Sequence, residues 1–466
     1  MSGVAAHELV ERALTLAGQH PRHAGTSVVV TNGSSANLRW AANTLTTNGV
    51  STGQSVTVAT ALRRDDGSCL GTVSRRGVGL DDLPDLVAQA QAVAEQAPPS
   101  EDAAELVDSG AGSDFPDGAQ ETGPQALQGL AEGLGEALDR ARAGGSELFG
   151  YAEQTLRTIW LGTTAGVRRR HVQPAGTVEL TGKSHQRSRS TFASQAARDL
   201  AEVDILALAD EVDQRLRWQA RRVDVPPGRL DAVLPPTSVA DLLVYLYWSS
   251  DARAAHEGRS VFSRPGGGTR LGEVLTDVPL SLGSDPAYPG VECEPFVLTT
   301  QSSPFASVFD NGMPSPAATW LDAGRLAALP TTRHTARLTG LDFRPAVDNL
   351  VASAAGGAGS TADLVAGTER GLLLTSLWYI REVDPTTLLL TGLTRDGVYL
   401  VEGGEVVGAA NNFRFNESPV DMLRRITGVS APARTMSREW GEHFPRTVMP
   451  ALRVHDFNFS SVSQAS

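Results

Sequence analysis

The sequence predicts an α+β protein. An N-terminal α/β domain with helices packed on a sheet precedes a predominantly β C-terminal domain of barrel- or sandwich-like form. Three observations carry this expectation. Helix-period apolar stretches and β-branched runs are mixed up to about residue 225. Pro226-Pro227-Gly228 then interrupts the chain, because it cannot continue a helix and favours an extended connection. Beyond it, strand and turn signals dominate. The chain has 466 residues, too many for one small core, and the expected division is 1–225 and 226–466.

Residues 5–17 place Leu9, Val10, Ala13, Leu14, Leu16 and Ala17 near 3.6 spacing, which predicts an amphipathic helix. Thr26 to Thr31 is β-branched and Gln54 to Leu62 alternates, so two antiparallel strands are expected, with turns at Asn32-Gly33 and Asn48-Gly49. Further helices are predicted over 80–97, 125–143 and 200–218. Strands are expected over 147–183, where Leu156, Thr158 and Trp160 alternate with polar neighbours. Residues 98–123 are rich in Pro, Gly, Ser and acidic residues and read as a mobile acidic surface loop. In the C-terminal half, helices are expected at about 237–249 and 418–427, and Gly356-Gly357-Ala358-Gly359-Ser360 reads as a flexible loop. That loop lacks the Lys-Ser/Thr of a phosphate cradle.

The formal net charge of −13 argues against wide nucleic-acid contact, which needs clustered Lys and Arg. One basic patch, Arg168-Arg169-Arg170-His171 with Lys183 to Arg189, reads as a solvated strand edge. No apolar run reaches the length of a membrane span, and no secretory signal is visible at the N-terminus. Cys69 and Cys293 suggest no disulfide framework, so a cytoplasmic setting is expected.

The most informative stretch runs from Leu388 to Pro419. Val398 to Val401, the Gly403-Gly404 turn and Val406-Val407 read as a β-hairpin. Asn411, Asn412, Phe413, Arg414, Phe415, Asn416 and Glu417 then crowd two Phe among polar and charged groups. Such a segment reads either as the wall of a peptide cleft or as a hydrogen-bonded structural turn, and the cleft reading is adopted as the site expectation. Arg395-Asp396-Gly397 reads as a tight turn with an ion pair, Arg381 to Pro385 as a solvated loop, and Trp320, Trp378 and Tyr379 as core or interface anchors.

This stretch resembles the C-terminal domain of the TldD/PmbA family, known as metallopeptidases or modulators of DNA gyrase. The resemblance extends through Arg344 to Leu350 and Arg370 to Arg381, and reaches the N-terminal third through Ser34 to Asn43 and Thr46 to Val50. In the TldD branch, metal is held by H-E-x-x-x-H on a helix and by a cysteine near the C-terminus. Two imidazoles then grip Zn²⁺, which acidifies a bound water while the Glu acts as general base. Here the corresponding helix is Thr237 to Ser249, and the motif positions fall at Val244, Tyr245 and Ser249. No His, Cys, Asp or Glu lies between Leu242 and Ser250, and the C-terminal 60 residues contain no cysteine. His256-Glu257 does not complete the motif, and nothing resembles a Gly-x-Ser-x-Gly elbow.

The resemblance therefore implies a TldE/PmbA-like chain with no catalytic residue, no metal and no cofactor of its own. It implies a heterodimer with a TldD-like chain that carries the zinc, joined around an extended peptide substrate. Homodimerisation is expected when the chain is alone, with neither nucleic acid nor membrane as partner. The alternatives are a stand-alone hydrolase and a peptide-binding or regulatory protein on the same fold.

Overall fold

The computed structural model describes residues 4–463. The N-terminal half begins with α1 (Ala6–Ala17), β1 (His23–Ala41), β2 (Thr44–Arg64), β3 (Gly67–Arg76) and α2 (Leu83–Gln96). It continues with α3 (Gln128–Ala143), β4 (Ser146–Thr163), β5 (Arg168–Ser184), β6 (Arg189–Ala197) and α4 (Ile205–Trp218). The strands form one six-stranded sheet in the order β3-β2-β1-β4-β5-β6, antiparallel throughout. Helices pack on it in two pairs. Leu9, Val10, Leu83 and Leu86 of α1 and α2 meet Val28, Val58 and Trp160, while Leu134, Leu138, Leu208 and Val212 of α3 and α4 meet Trp40, Val178 and Leu180. Gly71 on β3 makes one of these contacts possible, because a Cβ there would lie 2.1 Å from the Ala90 carbonyl of α2.

The helices lie where their period places them, but two expected turns do not form. Asn32-Gly33 and Asn48-Gly49 lie inside strands, paired with Gln54, Gly53, Leu38 and Asn37 in turn. The chain reverses instead at Ala42-Asn43, both at positive φ (49° and 61°), the geometry of a two-residue hairpin turn. Asn43 stabilises that turn, since its side chain accepts from Leu148 N–H and donates to the Ser146 carbonyl.

Residues 98–123 also differ from expectation. They form an irregular strap fastened across the sheet rather than a free loop. Phe115 is buried, and its carbonyl accepts from Trp160 Nε1. Gln120 and Thr122 N–H donate to the hydroxyls of Thr158 and Ser34. The Arg169-Arg170 part of the basic patch holds the strap and so is not a solvated edge, whereas His185 to Ser188 of its second part are exposed, as expected. Arg169 donates to the Ser109 and Gly110 carbonyls, and Arg170 donates to the Gly118 carbonyl while stacking on Trp160.

The C-terminal half enters its sheet before Pro226, through β7 (Arg222–Val223), followed by β8 (Gly228–Leu234), α5 (Pro236–Trp248) and α6 (Ala252–His256). Then come β9 (Leu280–Ser284), β10 (Ala318–Asp322), β11 (Arg325–Leu326), α7 (Arg333–Thr339), β12 (Leu350–Ala354) and α8 (Thr361–Ala366). The hairpin-rich region supplies β13 (Arg370–Leu374), β14 (Leu377–Asp384), β15 (Leu389–Thr394), β16 (Val398–Glu402), β17 (Glu405–Ala410) and β18 (Phe413–Glu417). The chain ends with α9 (Pro419–Leu423), β19 (Ile426–Thr435) and β20 (Thr447–Val462). The expected hairpin is β16–β17, turning at Gly403 and Gly404 with φ of 59° and 82°. The helix expected at 418–427 stops at Leu423, because β19 begins at Ile426. All fourteen strands join one mixed sheet, whose long β20 pairs with β8, β12, β18 and β19. The sheet and α5 share the largest apolar core of the molecule. Among the described residues no helix is long and apolar enough to cross a membrane.

Candidate functional site

α5 is apolar on nearly every side, and its sequence explains how it is held. Pro236 occupies the first turn, where its missing N–H costs nothing. Val239, Leu242, Leu243, Val244 and Leu246 are buried. Tyr247 is buried too, its hydroxyl donating to the Val347 carbonyl (3.1 Å) and accepting from Val347 N–H (2.9 Å). Burial raises the Tyr247 phenol pKa further above its ordinary value, so this group is a neutral hydrogen-bonding post.

Tyr245, Trp248 and Ser249 leave the core on the remaining face, where they line a cleft of about 560 Å³. The opposite walls are Ile380, Arg381, Glu382 and Pro385 from β14 and its turn, Pro304 and Phe305, and Trp440. Trp440 packs against both Tyr245 (5.5 Å between ring centres) and Trp248 (5.4 Å). Arg259, Asp251, Arg381 and Glu382 place charges of both signs around this aromatic floor. Burial raises the Glu382 carboxyl pKa, assisted by the neighbouring Asp384 charge, and burial raises the Tyr245 phenol. An aromatic floor with a few polar groups is the make-up of a binding cleft. Neither His nor Cys lines it, and the Ser249 hydroxyl is engaged by the Tyr245 carbonyl (2.9 Å).

The segment from Ser437 to Trp440 ties this cleft together. Asp241, fully buried on α5, accepts from the Ser437 hydroxyl and from Glu439 N–H, and its other oxygen has no hydrogen-bond partner among the described residues. Burial pushes its pKa up to about 7 against these two hydrogen bonds. Trp440 Nε1 donates to the Asp241 carbonyl (2.9 Å). The Glu439 carboxylate accepts from Tyr379 N–H (2.9 Å) and Ile380 N–H (3.2 Å) and pairs with Arg381 (3.0 Å). It thereby holds Tyr379 at a φ of 54°, a strained value for an aromatic residue, and fixes the β14 wall.

The positions corresponding to a zinc motif do not fit zinc. Val244 points into the core, while Tyr245 and Ser249 face the cleft, so no three donors converge. Among the described residues no group of three or more His, Cys, Asp or Glu side chains could hold a metal ion. Glu257, next to His256, is engaged by Arg253 and Arg259 on the surface.

The structure spreads Asn411 to Glu417 differently from a cleft wall. Phe413 and Phe415 are fully buried and stack on Phe459 and Phe457. Glu417 is buried against Arg425 (2.5 Å) and Asn458 N–H (2.7 Å). Asn411 accepts from Val225 N–H, and the Asn412 carbonyl accepts from Ser463 N–H. Arg414 is exposed and reaches Thr391, and Asn416 is half-buried. Strand alternation explains the composition: Phe413, Phe415 and Glu417 point inward, and Arg414 and Asn416 fall between them. Arg381 and Glu382, expected in a solvated loop, are exposed but lie on β14 and are among the residues that line the cleft. Arg395-Asp396-Gly397 is the expected turn, and its Asp396 also pairs with Arg438 (2.7 Å).

Comparison with known proteins agrees with this fold. The PmbA/TldA metallopeptidase C-terminal domain family matches residues 227–461. TldE from Thermococcus kodakarensis superposes with a TM-score of 0.74 at 15% identity, over 97% of this chain and 99% of that one. A proposed modulator of a DNA gyrase from Thermotoga maritima gives 0.75 at 16%, over 97% and 99%. Another from Bacteroides thetaiotaomicron gives 0.75 at 14%, over 98% of each. No curated protein sequence matches. At such identities the structures show the fold alone, while the matched domain spans half of the sequence, and on that ground the chain belongs to the PmbA/TldD family.

Proposed function

We propose that this chain is a non-catalytic, TldE/PmbA-like subunit that completes the chamber of a zinc-bearing TldD-like partner. In this reading the cleft over α5 receives an apolar or aromatic side chain of an extended peptide, and the partner supplies the zinc-bound water. The observation that carries it is the α5 surface itself. The helix that holds metal in the resembled branch here turns Tyr245 and Trp248 toward an open aromatic cleft and buries a valine at the first ligand position. Such a surface binds peptide and cannot activate water. The test mixes the chain with its candidate partner and an unfolded peptide. Cleavage requires both chains, disappears with a chelator, and disappears when the partner's motif histidines are replaced. Full cleavage by this chain alone, indifferent to chelation, would overturn the reading. So would stoichiometric zinc in the purified single chain.

A further inference from the structure

A second cavity lies apart from the α5 cleft, in the seam between the two halves of the molecule. It measures about 780 Å³, against about 560 Å³ for the cleft, and the two share no lining residue. α4 and β6 form one wall, through Leu208, Trp218 and Gln195. β13, α8 and β17 form the other, through Leu373, Val365 and Val406. Val365 and Leu373 belong to a small apolar core built around Tyr399, separate from the main core of the second half. Trp218 and Val406 pack on that core but stay only half-buried, so their remaining apolar surface faces the cavity. A space of this size, with apolar walls and a few polar groups, suits a drug-sized organic molecule.

Its polar groups divide into engaged and unengaged. Arg215 is engaged by the Phe192 carbonyl and Glu211, and Arg434 by Glu202 (2.5 Å) and the Gly290 carbonyl (3.3 Å). The Thr237 and Thr435 hydroxyls bond each other (3.1 Å). The Ser194 hydroxyl oxygen, by contrast, is buried with no hydrogen-bond partner among the described residues. A ligand atom that bonded it would offset the cost of that burial. The side chains of Gln195 and Glu405 also have no partner among the described residues. Glu405 is exposed and sits at the rim. The turn before it is packed on α8, since a Cβ at Gly404 would lie 2.5 Å from the Ala366 carbonyl. The carboxylate is therefore held in place before any ligand arrives.

We propose that this cavity binds a small organic cation, with an amine at Glu405 and an aromatic body against Trp218. The sign of the ligand follows from what the walls leave free. Both arginines are engaged, so the unpaired charge among the described lining residues is Glu405, on a chain whose net charge of −13 attracts cations. The N-terminus of α5 also opens here, and a helix end ordinarily favours an anion. Pro235 and Pro236 line that end, and neither has an N–H to offer one. Ser194 and Gln195 then bond polar atoms of the ligand body. The inference stands independently of the proposed catalytic partnership, and its test reads binding to the single chain rather than cleavage.

The probe is dansylcadaverine, an aromatic dansyl group on an alkyl chain that ends in an amine. Its control is dansyl-ε-aminocaproic acid, which carries the same group on a similar chain ending in a carboxylate. Dansyl emission, excited by transfer from tryptophan, is titrated against the purified chain. The amine probe is expected to saturate and to bind about fivefold more tightly than its carboxylate twin. Glu405→Gln is expected to erase that preference with Tm unchanged, because the position is exposed, and Glu405→Lys to reverse it. Ala362→Phe, at an exposed α8 position on the cavity wall, is expected to weaken both probes, and Tyr245→Ala in the α5 cleft to weaken neither. Absence of saturable binding overturns the proposal, as does equal affinity of the wild type for the two probes. Binding that survives Ala362→Phe unchanged, or that is lost in Tyr245→Ala, overturns the placement of the site in this seam.

Discussion

Asp241 shows most directly how one residue joins stability to the site. A carboxyl whose folded pKa is about 7, against an unfolded value of 3.8, is protonated in the fold while already ionised in the unfolded chain. Between those pH values the folded state binds more protons, so this group's contribution falls as pH rises from about 4 to about 7 and is level above that. Asp241→Asn keeps an acceptor for Ser437 and Glu439 N–H and removes the titration. The variant should gain about 1–3 kcal/mol over wild type at pH 8 relative to the same comparison at pH 5, measured by urea unfolding. An equal difference at both pH values would show that Asp241 does not titrate there. At the cleft, Tyr245 is half-exposed with its ring against Trp440. Tyr245→Ala should lower peptide affinity about tenfold, read by tryptophan fluorescence, while unfolding shifts far less than for a core deletion. Neither role was legible in sequence. A single Asp in an apolar helix reads as part of a cap, and only the chain returning at Ser437 and Glu439 turns it into a buried acceptor.

At the scale of elements, local pattern located most of the helices and the β16–β17 hairpin, because those signals are short-range. It misplaced what depends on a neighbour. Asn-Gly pairs favour turns, but cross-strand pairing with β2 and β4 holds β1 extended through Asn32-Gly33, and the reversal waits for Ala42-Asn43. Likewise Asn411 to Glu417 read as a cleft wall because inward and outward residues were counted together. β18 sorts them, and the sorting can be measured. Phe415→Ala should destabilise by about 3–5 kcal/mol, while Arg414→Ala should stay within about 0.5 kcal/mol, both by chemical denaturation. α5 allows a sharper test. Placing the zinc motif on it as Val244→His, Tyr245→Glu and Ser249→His puts one imidazole into the core and the other two groups toward the cleft. The triple variant should lose stability and bind no stoichiometric zinc by metal analysis, since its donors cannot converge.

For the whole molecule, family and fold class were legible because they are written in long ordered stretches, from Ser34-Ser35-Ala36-Asn37 to the hairpin before Asn411. How the two halves are joined was not legible, because it rests on single long-range contacts. Gln219 Nε2 donates to the Tyr399 hydroxyl (3.3 Å), and Trp218 stacks edge-on against the Tyr399 ring (5.1 Å). Arg438 is the more consequential link. Its guanidinium lies over Phe192 of the first sheet (4.3 Å) and Trp378 of the second (5.1 Å), donates to the Ser376 hydroxyl, and pairs with Asp396. Arg438 and Asp396 are both 11% exposed at the side chain, so removing the arginine strips a desolvated carboxylate of its closer partner, with Arg395 left at 3.5 Å. Arg438→Ala should therefore destabilise by about 2–4 kcal/mol, more than a surface pair would. Because Arg438 adjoins Glu439, the same variant should also loosen the β14 wall, speeding hydrogen exchange at the Tyr379 and Ile380 amides that Glu439 holds. Arg438→Lys keeps the charge but loses the planar stacking on both rings, so it should recover only part of the stability. If Arg438→Ala lowered stability while exchange at Tyr379 and Ile380 stayed at the wild-type rate, the link between the two halves and the cleft wall would be severed as an idea. The guanidinium would then be a clasp between domains and nothing more.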